Sequence, residues 1–589
     1  MDPFEDPSLG IEERVDDLLP RLSAEELVGL LFHTVIECGP DGSLLEGPGR
    51  IAKSATRDVV VGKAMNHFNV HALADARTAA AWSNRLQELA CEQPHSIPVT
   101  ISTDPRHAAA QNAGTSWASV FFSQWPDPMG LAALDDLELI GAYNDVVRRE
   151  YVAVGIRAAL HPTADVATEP RWGRQRETFG QDSGRATAFT RAAVRGLQGD
   201  ALGPDSVSAT TKHFPGGGPQ AGGEDAHFPY GRDQVYPGGR FVDHLEPFRA
   251  AIAAGTAAIM PYYGRPVGLS IDDEAIEEVG FGYNRQILTG LLREQLGYDG
   301  VILSDWELVN DNHVGDQVLP ARAWGVEHLD PAERMLRLLD AGIDQFGGEE
   351  CTDLLLALLA EGRVTRERLE ASARRLLRVK FALGLFDDPF VDVDAAPSLV
   401  GAPDAVAMGL RTQARSVVLA AVGDALPLRA GVRAYCEGLD AAAAAGHVTV
   451  VERPEDADVA LVRLRAPFEP RSDLFLEQWF RAGSLDFPPG LAHRLGRIAA
   501  HCPLVVDVSA DRPAVCTPLL AVADSLTVTF GVSDAAWLDA VTGRVPPEGR
   551  LPIDLPSSMD EVRASAEDVP GDTPHALFRA GHGLRLPTR

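Results

Sequence analysis

The chain has 589 residues, too many for one compact core, and this length fits about two to four domains of ordinary size. With 53 Lys and Arg against 84 Asp and Glu, the net charge of −31 disfavours nucleic acid and anionic membrane surfaces as partners and suits a neutral substrate. No run approaches ~20 uninterrupted apolar residues, and the opening MDPFEDPSLG lacks the cations and apolar core of a secretory signal. The six cysteines (Cys38, Cys91, Cys351, Cys436, Cys502 and Cys516) form no CxxC pair. The expectation is a cytoplasmic protein with reduced thiols, no disulfide framework, no membrane span and no metal site.

Along the first two-thirds of the chain, short apolar strands end in polar residues and are followed by helical patterns. The strands are IPVTISTD (97–104), GIRAALHPTAD (155–165), SVSATTKHF (206–214), AAIMPYY (257–263), GVILSD (300–305) and AGIDQF (341–346). DLELIGAYNDVVRREYVAV (136–154), AERMLRLLDA (332–341) and TRERLEASARRLLRVKFALGLF (365–386) carry amphipathic helical spacing. This alternation predicts βαβ units and a parallel sheet, closed at this length as a TIM-like (β/α)8 barrel over residues 1–388. The Pro- and Asp-rich DDPFVDVDAAPSLVGAPDA (387–405) lacks periodicity, so an interdomain linker is predicted over 389–412. A second α/β pattern then runs through SVVLAAVG (416–423), HVTVVE (447–452), ADVALVRLRAP (457–467), PLVVDVSAD (503–511) and SLTVTFG (525–531). It predicts a smaller α/β sandwich domain over 413–589, with a parallel sheet covered by helices and DAAAAAG (440–446) helical.

In the barrel the notable polar groups stand at the C-terminal strand ends: Asp104, the Lys212–His213 pair, Tyr263 and Asp305. All such ends open onto one face, where barrel enzymes carry their chemistry. Helix capping explains one acid after a strand. It does not explain two acids, a Lys-His pair and a tyrosine converging on one face.

RWGRQRETFGQD (171–182), TKHFPGGG (211–218), GVILSDW (300–306), AGIDQF (341–346) and PPEGRLPIDLP (546–556), in this order, resemble glycoside hydrolase family 3 from about residue 11 to FRAGHGL (578–584). The resemblance implies a retaining, exo-acting β-glycosidase of the β-glucosidase type, in which a carboxylate attacks the anomeric carbon and a second group first protonates the leaving oxygen and then activates water. It assigns the nucleophile to Asp305, with Lys212 expected to keep that carboxylate ionised. It assigns sugar hydroxyls to Asp104, Arg174, Lys212 and His213, a place beside the nucleophile to Tyr263, and a sugar-stacking face to Trp306. Glu177 is expected to tie the loop through arginine partners.

The acid/base is less fixed. In two-domain members of the family a glutamate reaches over from the second domain, and Glu469, just past the strand ADVALVRLRAP, is the favoured residue, with Asp473 and Glu477 as competitors. The family's N-acetylglucosaminidase branch instead uses a histidine within an Asp-x-His dyad. Asp225 and His227 in GGEDAHF (222–228) mimic that dyad, although Gly217 stands where that branch has a second motif histidine. Glu224 in the same loop is a candidate for an outer hydroxyl. The expected substrate is a carbohydrate, without nucleic acid, membrane or cofactor, and a homodimer is expected on the resemblance alone. β-N-acetylhexosaminidase, β-xylosidase or arabinofuranosidase activity, and a non-catalytic sugar-binding protein, are the alternatives.

Overall fold

The computed structural model describes residues 2–108, 119–314 and 317–587. Eight parallel strands close into a barrel: β1 (Phe32–Ile36), β2 (His67–Val70), β3 (Thr100–Thr103), β4 (Ile156–Ala159), β5 (Ser208–Phe214), β6 (Ala258–Pro261), β7 (Val301–Trp306) and β8 (Gln345–Gly347). Each pairs with its neighbours in chain order, and β8 returns to β1 through Phe32–Phe346 and His33–Gly347. The six strands read from the sequence are β3 to β8, and β1 and β2 are additional.

The helices follow from local chemistry. In α1 (Leu137–Val152) the Asp136 side chain accepts from Leu139 N. Leu139, Ile140, Tyr143, Val146, Val147 and Tyr151 then face inward at helical spacing. α2 (Pro331–Ala341) opens on a capping box between Asp330 and Glu333 and stops at Gly342, whose φ of 117° suits a residue without Cβ. The barrel ends in α3 (Arg366–Ala382), capped by Thr365. One unit departs from the regular pattern: between β1 and β2 only a helical turn, Asp58–Gly62, replaces a full helix.

The segment expected as the interdomain linker is partly helical, with α4 (Ala396–Leu399) and α5 (Pro403–Arg415). Its start is fixed to the barrel, because Val391 N and O both bond the Asn84 side chain. α5 buries Ala405, Gly409, Thr412 and Gln413, which are small or polar residues without an apolar stripe. The Gln413 amide donates to Gln124 O at 3.0 Å and accepts from Ser533 N at 2.9 Å, so it bridges the two halves of the molecule.

The second domain holds a six-stranded sheet in the order β9 (Val418–Ala421), β14 (Ser525–Thr529), β13 (Leu504–Ser509), β12 (Val459–Arg465), β10 (Arg433–Glu437), β11 (Thr449–Val451). β9 runs antiparallel to β14, which corrects the expectation of a wholly parallel sheet. The 467–484 loop that follows β12 lies against the barrel mouth. The buried guanidinium of Arg512 donates to Pro467 O, Ala482 O and, across the interface, Arg171 O.

Candidate active site

A pocket of about 850 Å³, counted out to its open end, sits at the C-terminal mouth of the barrel. Asp104, Arg174, Lys212, His213, Tyr263, Asp305, Trp306 and His227 all line it. Adjacent residues of a regular strand point to opposite faces, yet Lys212 and His213 both reach the pocket. The register of β5 against β6 shifts between Lys212 and Phe214. A second irregularity, between Leu303 and Trp306 where β7 meets β8, accompanies the presentation of Asp305, Trp306 and Glu307 in succession.

Asp305 is buried at the end of β7. Its Oδ1 accepts from Trp306 N at 2.8 Å, whereas Oδ2 accepts no hydrogen bond from the described residues and lies 4.0 Å from His213 Nε2. Tyr263 is adjacent and donates its hydroxyl to Trp306 O at 2.9 Å. Lys212 does not sit on Asp305 as expected. Its ammonium contacts Asp104 Oδ1 at 3.2 Å, while Asn69 Nδ2 holds Asp104 Oδ2 at 3.2 Å. The cation therefore holds Asp104, because β3 and β5 flank β4 and their C-terminal ends open onto the same mouth.

Arg174 donates Nε and Nη2 to Glu177 and Nη1 to His213 Nε2 at 2.9 Å. His213 Nδ1 donates to Asp165 Oδ2 at 2.7 Å. Burial and then the Arg174 charge hold the His213 imidazole well below its ordinary pKa, so the ring is neutral and accepts at Nε2. Asp165 also accepts from Gly217 N at 2.6 Å, and burial pushes its carboxyl up to about 6. The glycines of KHFPGGG permit this close approach: a Cβ on Gly218 would lie 1.9 Å from Val166 O.

The structure separates the acid/base candidates. Glu469 is exposed, accepts from Ser484 N at 3.2 Å, and does not line the pocket. Asp473 is exposed on the same loop. Glu477 is buried, with one oxygen taken by the Tyr230 hydroxyl at 2.9 Å and the other by Leu474 N at 2.8 Å. Glu224 is bound by Arg471 at 2.5 and 2.8 Å instead of facing a sugar. From the second domain the pocket receives Phe475 and Leu476, both apolar. The one candidate in the pocket is His227. Its Nδ1 donates to Asp225 Oδ1 at 2.6 Å, and Asp225 Oδ2 accepts from Trp172 Nε1 at 3.0 Å and Tyr262 OH at 3.3 Å. Burial would raise the Asp225 carboxyl, but the charge of His227 and its hydrogen bonds, together with the Arg174 charge, outweigh it and hold it well below the usual carboxylate range. Burial lowers the His227 pKa below its ordinary value, and Asp225 opposes that shift.

Several pocket residues were not read from the sequence: Asn69 in β2, His71 just after it, and the set of Lys53, Glu307 and Arg322, and neither was Asp165, which holds His213 from behind. Glu307 takes Lys53 Nζ at 3.0 Å and Arg322 Nη1 at 2.9 Å. Asp165 ends the quoted GIRAALHPTAD, but β4 stops at Ala159 and the acid lies in the loop beyond. Among the described residues no cluster of three or more His, Cys, Asp or Glu side chains could hold a metal ion.

The family description "Glycosyl hydrolase family 3 N terminal domain" matches residues 48–379. The chain is 47% identical to "Probable beta-glucosidase C" of Aspergillus flavus over 99% of this chain and 91% of that protein. It is 38% identical to "Periplasmic beta-glucosidase/beta-xylosidase" of Dickeya chrysanthemi, with the same two coverages. The fold is similar to that of a b-glucosidase from Erythrobacter marinus, with a TM-score of 0.79 at 20% identity over 99% of this chain and 84% of that one.

Proposed function

The chain belongs to glycosyl hydrolase family 3, and we propose that it is an exo-acting β-glucosidase that works by retention with Asp305 as nucleophile and His227 as acid/base. Asp305 Oδ2 attacks C1 of the terminal glucosyl residue, the C1–O bond to the leaving group breaks, and the departing oxygen takes the Nε2 proton of His227. Water then returns a proton to His227 Nε2 as its oxygen attacks C1, and the ester bond to Asp305 breaks. Both groups are restored and the sugar keeps its β configuration. Asp104, Lys212, Arg174 and His213 hold the hydroxyls, and Trp306 offers an apolar face to the ring.

The observation that carries the reading is the pairing of a buried Asp305 Oδ2, which accepts no hydrogen bond from the described residues, with a carboxylate-oriented imidazole lining the same pocket, while Glu469 lies outside it. The Asp225–His227 dyad also favours a second reading, β-N-acetylhexosaminidase, because the resemblance ties such dyads to that branch of the family. Relatives named for β-glucosidase support the first. The test is kcat/KM on p-nitrophenyl β-glucoside, β-xyloside, β-N-acetylglucosaminide and α-arabinofuranoside. The glucoside should lead, and a higher value on the N-acetylglucosaminide would overturn the assignment. A cytoplasmic location belongs to the same proposal, supported by six free cysteines. Finding the activity in the extracytoplasmic fraction of the source cells would refute it.

A further inference from the structure

His227 is carried by a barrel loop but is not held by the barrel alone. Gly222 and Gly223, at φ of 64° and 76°, turn the chain into the loop. The barrel holds the Asp225 carboxylate through Trp172 and Tyr262, and the Trp324 indole donates to Ala226 O at 2.8 Å. Two rings pack on the His227 imidazole: Tyr263, edge-on with centroids 4.7 Å apart, and Phe480 of the second domain, 4.2 Å away and tilted by 37°.

The contacts around that ring form a second tie between the domains. Arg471 binds Glu224, three residues before His227, through both its terminal nitrogens, and its guanidinium lies 4.8 Å above the Tyr230 ring, three residues after it. The Tyr230 hydroxyl donates to the buried Glu477, whose second oxygen fixes the turn at Leu474. Phe228, Leu319 and Phe480 make a small apolar core above the pocket, separate from the cores of both domains. Each end of the loop that bears His227 is thus gripped by one short stretch of the second domain, and the imidazole is covered by a ring from the same stretch.

We propose that residues 471–480 of the second domain clamp the His227 loop, with Arg471, Glu477 and Phe480 acting as positioning residues that hold the imidazole over the scissile oxygen. This inference rests on His227 being the acid/base. It gives the second domain a part in proton transfer although Glu469 stays outside the pocket. A displacement of the donor by even about 1 Å is enough to cost on the order of 10²-fold. The half-buried ion pair and its aromatic floor give the clamp direction as well as apolar contact.

The experiment compares a substrate that needs protonation, cellobiose, with 2,4-dinitrophenyl β-glucoside, whose leaving group departs without a proton. The variants are Arg471→Ala, Glu224→Ala, the double variant, Phe480→Ala and Phe480→Tyr, with His227→Ala as reference. Arg471→Ala and Phe480→Ala should lower kcat/KM on cellobiose by about 10- to 100-fold, within the span of a general-acid contribution. The dinitrophenyl substrate should lose less than about threefold, and Phe480→Tyr should keep the activity of the parent. Arg471→Ala and Glu224→Ala should be non-additive, the double variant losing no more than either single one. If Phe480→Ala does not fold, the partly exposed Arg471 and Glu224 still carry the test. Equal losses on both substrates in the clamp variants, with the leaving-group split present in His227→Ala, would overturn the clamp and leave the acid/base intact. No split in His227→Ala itself would overturn the acid/base reading.

Discussion

Two carboxylates with the same expected partnership end in different places. Asp305 closes a barrel strand, is buried, and has one oxygen, Oδ2, that accepts no hydrogen bond from the described residues. Glu469 follows a strand of the second domain by four residues, is exposed, and bonds a backbone N–H in its own loop. A residue on a strand end inherits its position from the barrel, since the two neighbouring strands in a closed eight-stranded sheet fix where it points. A residue in a connecting loop inherits nothing of the kind, and tertiary contacts decide. The barrel half of the site is therefore built by topology, and the interdomain half by individual contacts such as Arg471–Glu224 and Phe480–His227.

That contrast can be broken at its strongest point first. Asp305→Asn should keep the fold and lose turnover by on the order of 10⁴-fold or more, as expected when a nucleophile is removed. Near-normal activity measured on p-nitrophenyl β-glucoside would place the nucleophile elsewhere. On cellobiose, His227→Ala should lose about 10²- to 10⁴-fold, whereas Glu469→Ala should stay within about threefold, as its exposed site predicts for a surface change. Steady-state kcat/KM for the pair decides which region supplies the proton.

Asp104→Ala sharpens the comparison within the barrel. It removes the carboxylate proposed to accept sugar hydroxyls and leaves the buried Lys212 ammonium without its counter-ion. Hydrogen bonds to charged groups contribute about 1.5–3 kcal/mol each. A loss near 100-fold in kcat/KM is expected on natural and activated glucosides alike, since binding and not proton transfer is damaged. A loss seen only with cellobiose would contradict that role.

The smallest effect is in the pH profile. His227 must carry its second proton to act as acid, so kcat/KM on cellobiose should fall as pH rises through its pKa. Burial sets that pKa below the ordinary 6.5, with Arg174 adding to the shift and Asp225 and Asp305 opposing it. The alkaline limb should therefore lie below about pH 6.5 and should be absent for glycosylation by 2,4-dinitrophenyl β-glucoside. A limb that persists with that substrate would assign it to another group.

The parts of the molecule legible in its sequence divide along the same line. β3 to β8 and their polar ends were readable because apolar runs stop at charged residues and helical spacing follows. β1 and β2 were not, because FHTVI and HFNV interleave apolar residues with His, Thr and Asn. Those polar groups point into the barrel, where His33 is held by Ser102 at 2.7 Å and Gln345 at 3.2 Å, so the hydrophobic signal is interrupted where the structure is most buried. The direction of β9 was hidden because a short apolar strand reads alike in a parallel or an antiparallel pair. The helix over the linker was hidden because it packs through Ala405, Gly409 and Thr412. The pairing of Lys212 with Asp104, and not with Asp305, is not carried by spacing in one sequence, because β5 stands two strands from both β3 and β7 and side-chain contacts decide between them. The Asp-x-His pattern was visible, but its place depends on a phenylalanine 253 residues further along the chain, which no local pattern reports.

The most direct test of the account follows the product formed when azide is added to His227→Ala and, separately, to Glu469→Ala, with 2,4-dinitrophenyl β-glucoside as donor. An anion attacks the glycosyl-enzyme without a general base, so the variant lacking the acid/base should turn over faster with azide and release β-glucosyl azide. The account predicts that product from His227→Ala, and from Glu469→Ala only glucose at an azide-independent rate. β-Glucosyl azide from Glu469→Ala, with none from His227→Ala, would contradict it and return the proton donor to the second domain.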